Sequence, residues 1–197
     1  MKPALLLLSL MLVSCTQSLN VQDYIAWNQD EDNGLYQSVE REGYQFKLQY
    51  KPQELVALNN AGDLSGLDKT QLNEELEELK EYQFFDIHIS SNLVADFLRA
   101  RLSSQEEYYQ RVAYFSTFAQ DDFKLVEGQD TLACIMYHFE RNYGIRPFQT
   151  ILLGFKNTPG SQDKDKEVLY EDRILGLNTV NLRIESKNLN NIPQLSL

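Results

Sequence analysis

Residues 131–155, TLACIMYHFERNYGIRPFQTILLGF, decide the fold class because two apolar runs flank a short polar turn within them. The first run covers residues 131–139 and the second covers residues 148–155, with Arg141-Asn142-Tyr143-Gly144 between them. Short apolar runs joined by a glycine-containing turn are typical of a β-hairpin. The stretch therefore predicts two adjacent antiparallel strands in the last third of the chain.

Alternating apolar and polar residues predict more strands on both sides of this hairpin. In residues 35–50 the alternation is interrupted by Arg41-Glu42-Gly43, so a second hairpin is expected to end at Pro52. The polar stretch 156–166 predicts a loop. Further strands are expected at residues 83–90, 168–175 and 179–184.

Helical spacing dominates the middle of the chain. Asp68 is followed by Gln71 and then by leucines at helical spacing, which predicts an amphipathic helix over residues 69–82 with an acidic outer face. The apolar residues of 93–102 predict a second, short helix. A third helix is expected to begin after Ser103 or Ser104 and to end near Asp121.

Strands interrupted by a central helical insert predict the fold class. We expect one α+β domain over residues 35–197, built on an antiparallel sheet or a β-sandwich. Residues 15–34 are mostly polar, and this composition predicts a spacer that lets the domain stand off from a membrane.

The first residues of the chain predict export. Lys2 precedes an apolar run at residues 4–13, which is too short to span a bilayer, and Ser14 and Cys15 follow it. Residues 1–14 therefore predict a signal peptide. An ordinary secretory signal or a chance cysteine at this position are the alternatives.

The motif Leu12-Val13-Ser14-Cys15 resembles the lipobox of bacterial lipoproteins. The resemblance implies cleavage before Cys15 and acyl chains such as palmitate on that cysteine. Several acyl chains hold a protein stably on a bilayer, whereas one chain binds only marginally. The expected location is the bacterial cell envelope, at the outer membrane, with the lipid bilayer as one partner.

Several fragments also resemble a group of envelope lipoproteins of about this length that have no established activity. The resemblance supports the lipoprotein class and implies no mechanism and no functional residue. The fragments are Trp27, Asn33-Gly34-Leu35, Tyr50-Lys51-Pro52, Phe139-Glu140-Arg141-Asn142-Tyr143-Gly144 and Ile192-Pro193-Gln194-Leu195.

Charge and cysteine content limit the partners and the chemistry. Removal of residues 1–14 takes away one lysine and no acid, so the formal net charge changes from −11 to −12. This charge argues against nucleic acid and against an anionic bilayer as electrostatic partners. Cys134 is the only cysteine besides Cys15, so an acylated chain has no intramolecular disulfide and depends on its core for stability.

Metal sites are not expected. A calcium loop that starts at Asn28 has Asn33 where glycine is needed at the sixth position and Val39 where an acid is needed at the twelfth. Cys134 and His138 lie on a predicted strand, where residues four apart share a face at roughly 13 Å, too far for one zinc ion. We therefore expect no metal and no cofactor.

Two kinds of catalysis fit the residues, and each has a plainer interpretation. Cys134 with His88 or His138 is a possible thiol nucleophile and base, although a lone cysteine in an apolar run is typically a small buried side chain. Carboxylate pairs such as Asp121-Asp122 and Glu106-Glu107 fit a hydrolase, but in a chain with 29 acids they are more simply surface charge. We expect no catalytic residue.

The function expected from these observations is binding. A tethered domain without recognisable catalytic machinery is expected to be a non-enzymatic binding or accessory subunit of an envelope protein assembly. Exposed tyrosines suit such interfaces, and Tyr109 is the candidate contact because it lies about a quarter-turn from the inward face of the third helix. The alternatives are a lipoprotein that binds a carbohydrate or small ligand, and a thiol- or carboxylate-dependent hydrolase.

Overall fold

The computed structural model describes residues 17–64, 66–142 and 145–197. The lipobox and Cys15 lie outside the described residues. The helices are α1 (Val21–Gln29), α2 (Gln53–Ala61), α3 (Lys69–Leu79), α4 (Gln105–Thr117) and α5 (Ser186–Leu189). The strands are β1 (Ser18–Leu19), β2 (Tyr36–Arg41), β3 (Tyr44–Lys51), β4 (Tyr82–Ser91), β5 (Phe123–Glu127), β6 (Asp130–Glu140), β7 (Phe148–Lys156), β8 (Lys166–Tyr170), β9 (Val180–Ile184) and β10 (Gln194–Leu195).

Eight strands form one antiparallel sheet in the order β2-β3-β4-β7-β6-β5-β8-β9. Strands β2 and β9, at the two edges of this order, contact each other, so the sheet nearly closes on itself. Helices α2, α3 and α4 lie in the middle of the sequence, between β3 and β5. The predicted α+β, sheet-based class is confirmed, and these eight strands form one curved sheet rather than two sheets packed face to face, with β1 and β10 paired separately.

The two predicted hairpins are present. Strands β6 and β7 pair antiparallel, and β2 and β3 pair in register from Tyr36↔Gln49 to Arg41↔Tyr44. The turn between β2 and β3 places Glu42 at φ 49° and Gly43 at φ 85°. Two consecutive positive φ angles are the geometry of a tight hairpin turn that matches the twist of the strands, and they explain the glycine.

The core fills the inside of the sheet and is closed at both ends. Alternate residues of each strand point inward, as Phe85, Ile151 and Leu182 do, and all three are fully buried. At one end, called the upper end here, α4 lies across the opening and buries Phe115. The other, lower end holds the residue 157–165 loop, and the second hydrophobic cluster lies on this side between α1, α2 and α3.

The predicted spacer at residues 15–34 is wrong for the described residues from Ser18 onward. Strand β1 pairs with β10, and α1 follows with Tyr24 completely buried. The polar residues act as caps: the Asn20 side chain accepts a hydrogen bond from the Asp23 backbone N–H at 3.0 Å. Polarity in this stretch therefore reflects capping and turn formation, and the domain begins 17 residues earlier than expected, at Ser18.

The predicted helix at residues 93–102 is also wrong. Only a single 3₁₀ turn forms, at Phe97–Arg99, although Phe97 and Leu98 are buried as their apolar character predicts. The buried guanidinium of Arg111 donates hydrogen bonds to the backbone carbonyls of Leu98 and Ala100, at 3.4 and 2.7 Å. These bonds come from a distant side chain and replace those a helix would make.

The remaining differences concern elements that the sequence did not predict and the bounds of elements that it did. Helix α2 and strand β5 were not predicted, and α3 ends at Leu79 rather than at residue 82. Strand β8 ends at Tyr170 instead of reaching residue 175, because the Asp172 carboxylate accepts hydrogen bonds from the backbone N–H groups of Leu175 and Leu177 and turns the chain.

Candidate binding groove

An open groove of about 480 Å³ lies on the outside of the sheet near its lower end. Its floor is the outer face of β4, β7 and β6, and one wall is formed by α2 and α3. Apolar side chains supply most of the surface. The groove is lined by Val56, Leu79, Phe84, Met136, Leu152 and Gly154, with Lys51, Asn59, Asn60, Glu78, Asp86 and His138 among the polar residues.

A β-bulge shapes the floor of this groove. The pairing of β6 with β7 shifts register between Cys134 and Met136, so one residue of β6 has no partner. Met136 then lies across Gly154, and a Cβ atom added to that glycine would come within 2.6 Å of Met136 Cε and 2.9 Å of Met136 Cβ. The glycine therefore gives the methionine room to lie on the sheet.

One ion pair borders the apolar floor. Lys51 Nζ lies 3.0 Å from Asp86 Oδ2, and the side chains are only 17% and 13% exposed. Burial raises the pKa of the Asp86 carboxyl, and the Lys51 ammonium counteracts part of that rise. The pair places two mutually compensated charges beside the apolar surface, so the groove has a fixed polar border without a net charge from this pair.

Both histidines lie on the outer face of the sheet. His88 pairs with Thr150 across the strands and stacks on Phe148 with ring centroids 4.3 Å apart. Burial and the nearby positive charges lower the pKa of His88 to about 4, so its imidazole is neutral at neutral pH. His138 lines the groove.

Cys134 lies on the opposite, inner face. It pairs with the buried Phe155, and its thiol donates a hydrogen bond to the Met136 carbonyl oxygen at 3.0 Å. The bulge after Cys134 inverts the alternation of β6, so the expected shared face with His138 does not exist. Burial raises the pKa of the thiol to about 11, which keeps it protonated. The structure thus separates the thiol from both candidate bases.

The predicted carboxylate pairs have structural contacts. Asp122 is fully buried, accepts a hydrogen bond from the Tyr114 hydroxyl at 2.6 Å and lies 3.0 Å from the Arg173 guanidinium. At the start of α4 the Ser104 hydroxyl accepts a hydrogen bond from the Glu107 backbone N–H, and the Glu107 carboxylate accepts one from the Ser103 N–H, one residue before the N-cap. Among the described residues, no group of three His, Cys, Asp or Glu side chains has the arrangement of a metal site.

Tyr109, the predicted contact residue, is 59% exposed on α4, whereas its neighbour Tyr108 is buried. The Arg99 guanidinium lies over the Tyr108 ring at 3.9 Å from the centroid and holds that ring in place. Ile145, near the same upper end, is 87% exposed. The exposed position expected for Tyr109 is observed, and its role as a contact stays a prediction.

A buried polar cluster at the lower end was missed from the sequence. Lys166 and Glu127 form an ion pair with side chains 1% and 0% exposed, and the Ser161 hydroxyl donates to Glu127 at 2.6 Å. Burial and the hydrogen bonds act in opposite directions on Glu127, and the bonds prevail, so its pKa is lowered. The strand alternation Lys166, Val168, Tyr170 is the signal that places the lysine inside. Through Ser161, the cluster attaches the 157–165 loop to strand β5.

Comparisons with models of known protein families, with curated proteins and with solved structures found no match to the chain. A function for the groove therefore has to follow from the chemistry of its own residues.

Proposed function

We propose that this protein is a lipid-anchored component of the bacterial cell envelope that acts by binding, as a non-enzymatic accessory subunit of a protein assembly. The groove on the outer face of the sheet is its principal contact surface. One observation carries the proposal: a mostly apolar groove of about 480 Å³ lies open on the antiparallel sheet. Apolar surface of this kind is a binding feature, because contact with a partner removes it from water.

The occupant we propose is an apolar segment of an envelope protein with basic residues beside it. Val56, Leu152 and Met136 offer contact to apolar side chains, and Met136 is 37% exposed and can adapt its shape. Glu78 lines the groove, and α3 carries several more glutamates beside it. Complementary charge of this kind selects a basic partner and accelerates its association.

The separation of Cys134 from both histidines supports binding over thiol hydrolysis. A thiol nucleophile needs a base within hydrogen-bonding distance and an accessible sulfur. The Cys134 thiol is buried and donates to a carbonyl oxygen instead. None of the described helices is long and apolar enough to cross a membrane. Attachment in our proposal relies on acylated Cys15.

Affinity purification with groove variants tests the binding surface. Leu152→Asn introduces a polar amide into the apolar floor, and Leu93→Asn makes the same change at an exposed leucine outside the groove. Loss of one true anchor is expected to cost about 2 kcal/mol of binding, a factor of about thirty. Partner recovery should fall for Leu152→Asn and not for Leu93→Asn when both proteins are equally folded. Equal recovery would exclude the groove as the contact surface.

The anchor is tested by intact mass measurement of protein extracted from membranes. The wild-type chain should carry acyl groups on Cys15, whereas Cys15→Ala should abolish acylation and leave the signal peptide attached. Fatty-acid labelling that persists in Cys15→Ala would contradict the lipoprotein assignment.

A small ligand is the second candidate occupant. The groove volume falls within the range of about 300–1,000 Å³ that is usual for small-molecule sites. An amphipathic molecule with an apolar body could contact Phe84 and Leu152 while its polar end meets the Lys51–Asp86 pair. Retention of such a molecule through purification of the intact protein, with no protein copurifying, would favour this candidate.

A further inference from the structure

We propose that the end of the domain formed by β1 and β10 lies directly against the bilayer surface, so that the opposite end points away from the membrane. This inference rests on the proposed acylation of Cys15. It replaces the long spacer expected from the sequence with a short tether, and it assigns a lipid surface as the partner of one defined face of the protein.

The length of chain between the anchor and the fold is short. Only Thr16 and Gln17 separate Cys15 from Ser18, the first residue of β1. Three residue steps span at most about 11 Å even when fully extended. A domain that starts this close to its lipid anchor has almost no freedom to rise from the surface or to turn its other faces toward it.

Strand β1 is attached firmly to the body of the domain. The Gln194 backbone N–H donates to the Gln17 carbonyl oxygen at 2.9 Å, and the Ser196 N–H donates to the Leu19 carbonyl oxygen at 2.8 Å. Leu19 and Leu195 pack against the cluster of buried residues that α1, α2 and α3 share. The tether therefore pulls on a fixed part of the domain and not on a loose arm.

The surface at this end has the chemistry of a lipid headgroup contact. A pocket there is lined by the polar residues Ser18, Lys69, Asn73, Gln194 and Ser196, together with Glu54 and four leucines. Hydroxyl, amide and ammonium groups can bond to phosphate and ester oxygens of lipids. Leu197 is 47% exposed at the same end. The acidic residues of α3 lie close by, so a zwitterionic bilayer suits this face better than an anionic one.

The upper end is consequently directed away from the bilayer. Strand β3 runs from Tyr44, whose hydroxyl donates to the Ala100 carbonyl oxygen at the upper end, to Lys51 beside α2. Its eight residues extend about 23 Å, since each step advances by about 3.3 Å. Tyr109 and Ile145, both exposed near the upper end, would then face the aqueous compartment, where a partner protein can reach them.

Quenching of fluorophores by labelled lipids tests this orientation. The full, acylated protein is incorporated into phosphatidylcholine vesicles that contain a lipid with a nitroxide on its headgroup. One fluorophore is attached to Ser196→Cys and, in a second preparation, to Ile145→Cys, both of which are exposed positions. Wild-type protein treated with the same reagent gives the background from Cys134. We expect quenching at position 196 to exceed quenching at position 145 several-fold.

A matched variant separates tether length from other causes. Insertion of about 20 Gly/Ser residues between Thr16 and Gln17 adds a flexible linker with an end-to-end distance of about 25 Å and leaves the Gln17 carbonyl, which accepts from the Gln194 N–H, next to β1. The difference between the two labelled positions should largely disappear in this variant. Equal quenching of both positions in the uninserted protein, or an unchanged difference after insertion, would overturn the proposed orientation.

Vesicle flotation and intact mass, measured on the same samples, distinguish failure of this inference from failure of the anchor. A chain that carries no acyl group and does not float with vesicles refutes the anchor and, with it, the orientation. A chain that is acylated and floats but shows equal quenching leaves the anchor intact and refutes the orientation alone.

Discussion

Removal of the buried ammonium of Lys166 should destabilise the fold far more than removal of an exposed one. In Lys166→Met the methionine fills similar space, but the Glu127 carboxylate is left without its counter-charge in a site where its side chain is 0% exposed. The Ser161 and Thr158 hydroxyls, which donate to Glu127 at 2.6 and 2.8 Å, remain but carry no charge. Breaking one partner of a buried ion pair costs about 3–5 kcal/mol.

The assay is equilibrium unfolding in urea. With a typical slope of about 2 kcal/mol per molar for a domain, a loss of about 4 kcal/mol should lower the midpoint by about 2 M. The matched control is Lys164→Met, which removes a lysine that lies 3.3 Å from Asp130 with side chains 32% and 58% exposed. Exposed pairs contribute about 0–1 kcal/mol, so this midpoint should hardly move.

A double variant and the pH dependence make the prediction specific. Glu127→Gln combined with Lys166→Met leaves no buried charge, so it should be more stable than Lys166→Met alone. In the wild type the pKa of Glu127 is lowered below its usual 4.5, so its contribution is present above pH 4.5 and is lost as the pH falls below that value. The gap between wild type and Lys166→Met should therefore narrow in acid. A loss in Lys166→Met no larger than in Lys164→Met would refute the reasoning.

Three further predictions concern other parts of the molecule. Gly154→Ala should cost about 1–3 kcal/mol of unfolding free energy because its Cβ would press on Met136, whereas Gly66→Ala, with nothing within 4 Å, should be nearly neutral in the same urea titration. Equal effects would contradict the close approach. Burial raises the pKa of Tyr50 to about 12, so its contribution to stability should be full below pH 10 and decline as the pH rises toward 12. The tyrosinate absorbance that Tyr50→Phe removes should therefore appear near pH 12 or on unfolding, and its appearance near pH 10 in folded protein would argue against this. Cys134 should react with a thiol reagent only in denaturant, since it is buried with a pKa raised to about 11, and rapid labelling of native protein would show that it is accessible.

Elements whose stability is local could be predicted from the sequence. The hairpin turn at Gly43 can be predicted because a positive φ favours glycine. The start of α4 can be predicted from Ser104 and Glu107, whose side chains form hydrogen bonds with nearby backbone groups. The two apolar runs that form β6 and β7 are long enough to be recognised as strands from the sequence.

Features that depend on distant contacts could not be predicted. The apolar residues of the 93–102 segment have helical spacing, yet the Arg111 side chain donates a hydrogen bond to the Leu98 carbonyl from thirteen residues away. Tyr24 lies in a polar stretch, and only the clustering of α1 with α2 and α3 buries it. The bulge after Cys134 has no signature in the local pattern, and it decides which face Met136 and His138 occupy.

The groove is the clearest example of such a feature. Its lining comes from α2, α3, β4, β6 and β7, which are separated along the chain by up to about a hundred residues. In the sequence, Leu152 does not differ from the other apolar residues of its strand. Tyr109 was the contact residue expected from the sequence, because the exposure of a helix residue can be inferred from periodicity. A groove between a sheet and two helices cannot be inferred in this way.

Site-specific photo-crosslinking in intact envelopes tests the central claim most directly. A benzophenone amino acid replaces Leu152 in the floor of the groove and, in a control strain, replaces the exposed Leu93 outside it. One discrete protein adduct is expected from position 152 after irradiation, and none of that size is expected from position 93. Absence of any protein adduct from position 152, or the same adducts from both positions, would contradict the claim that this groove binds an envelope protein.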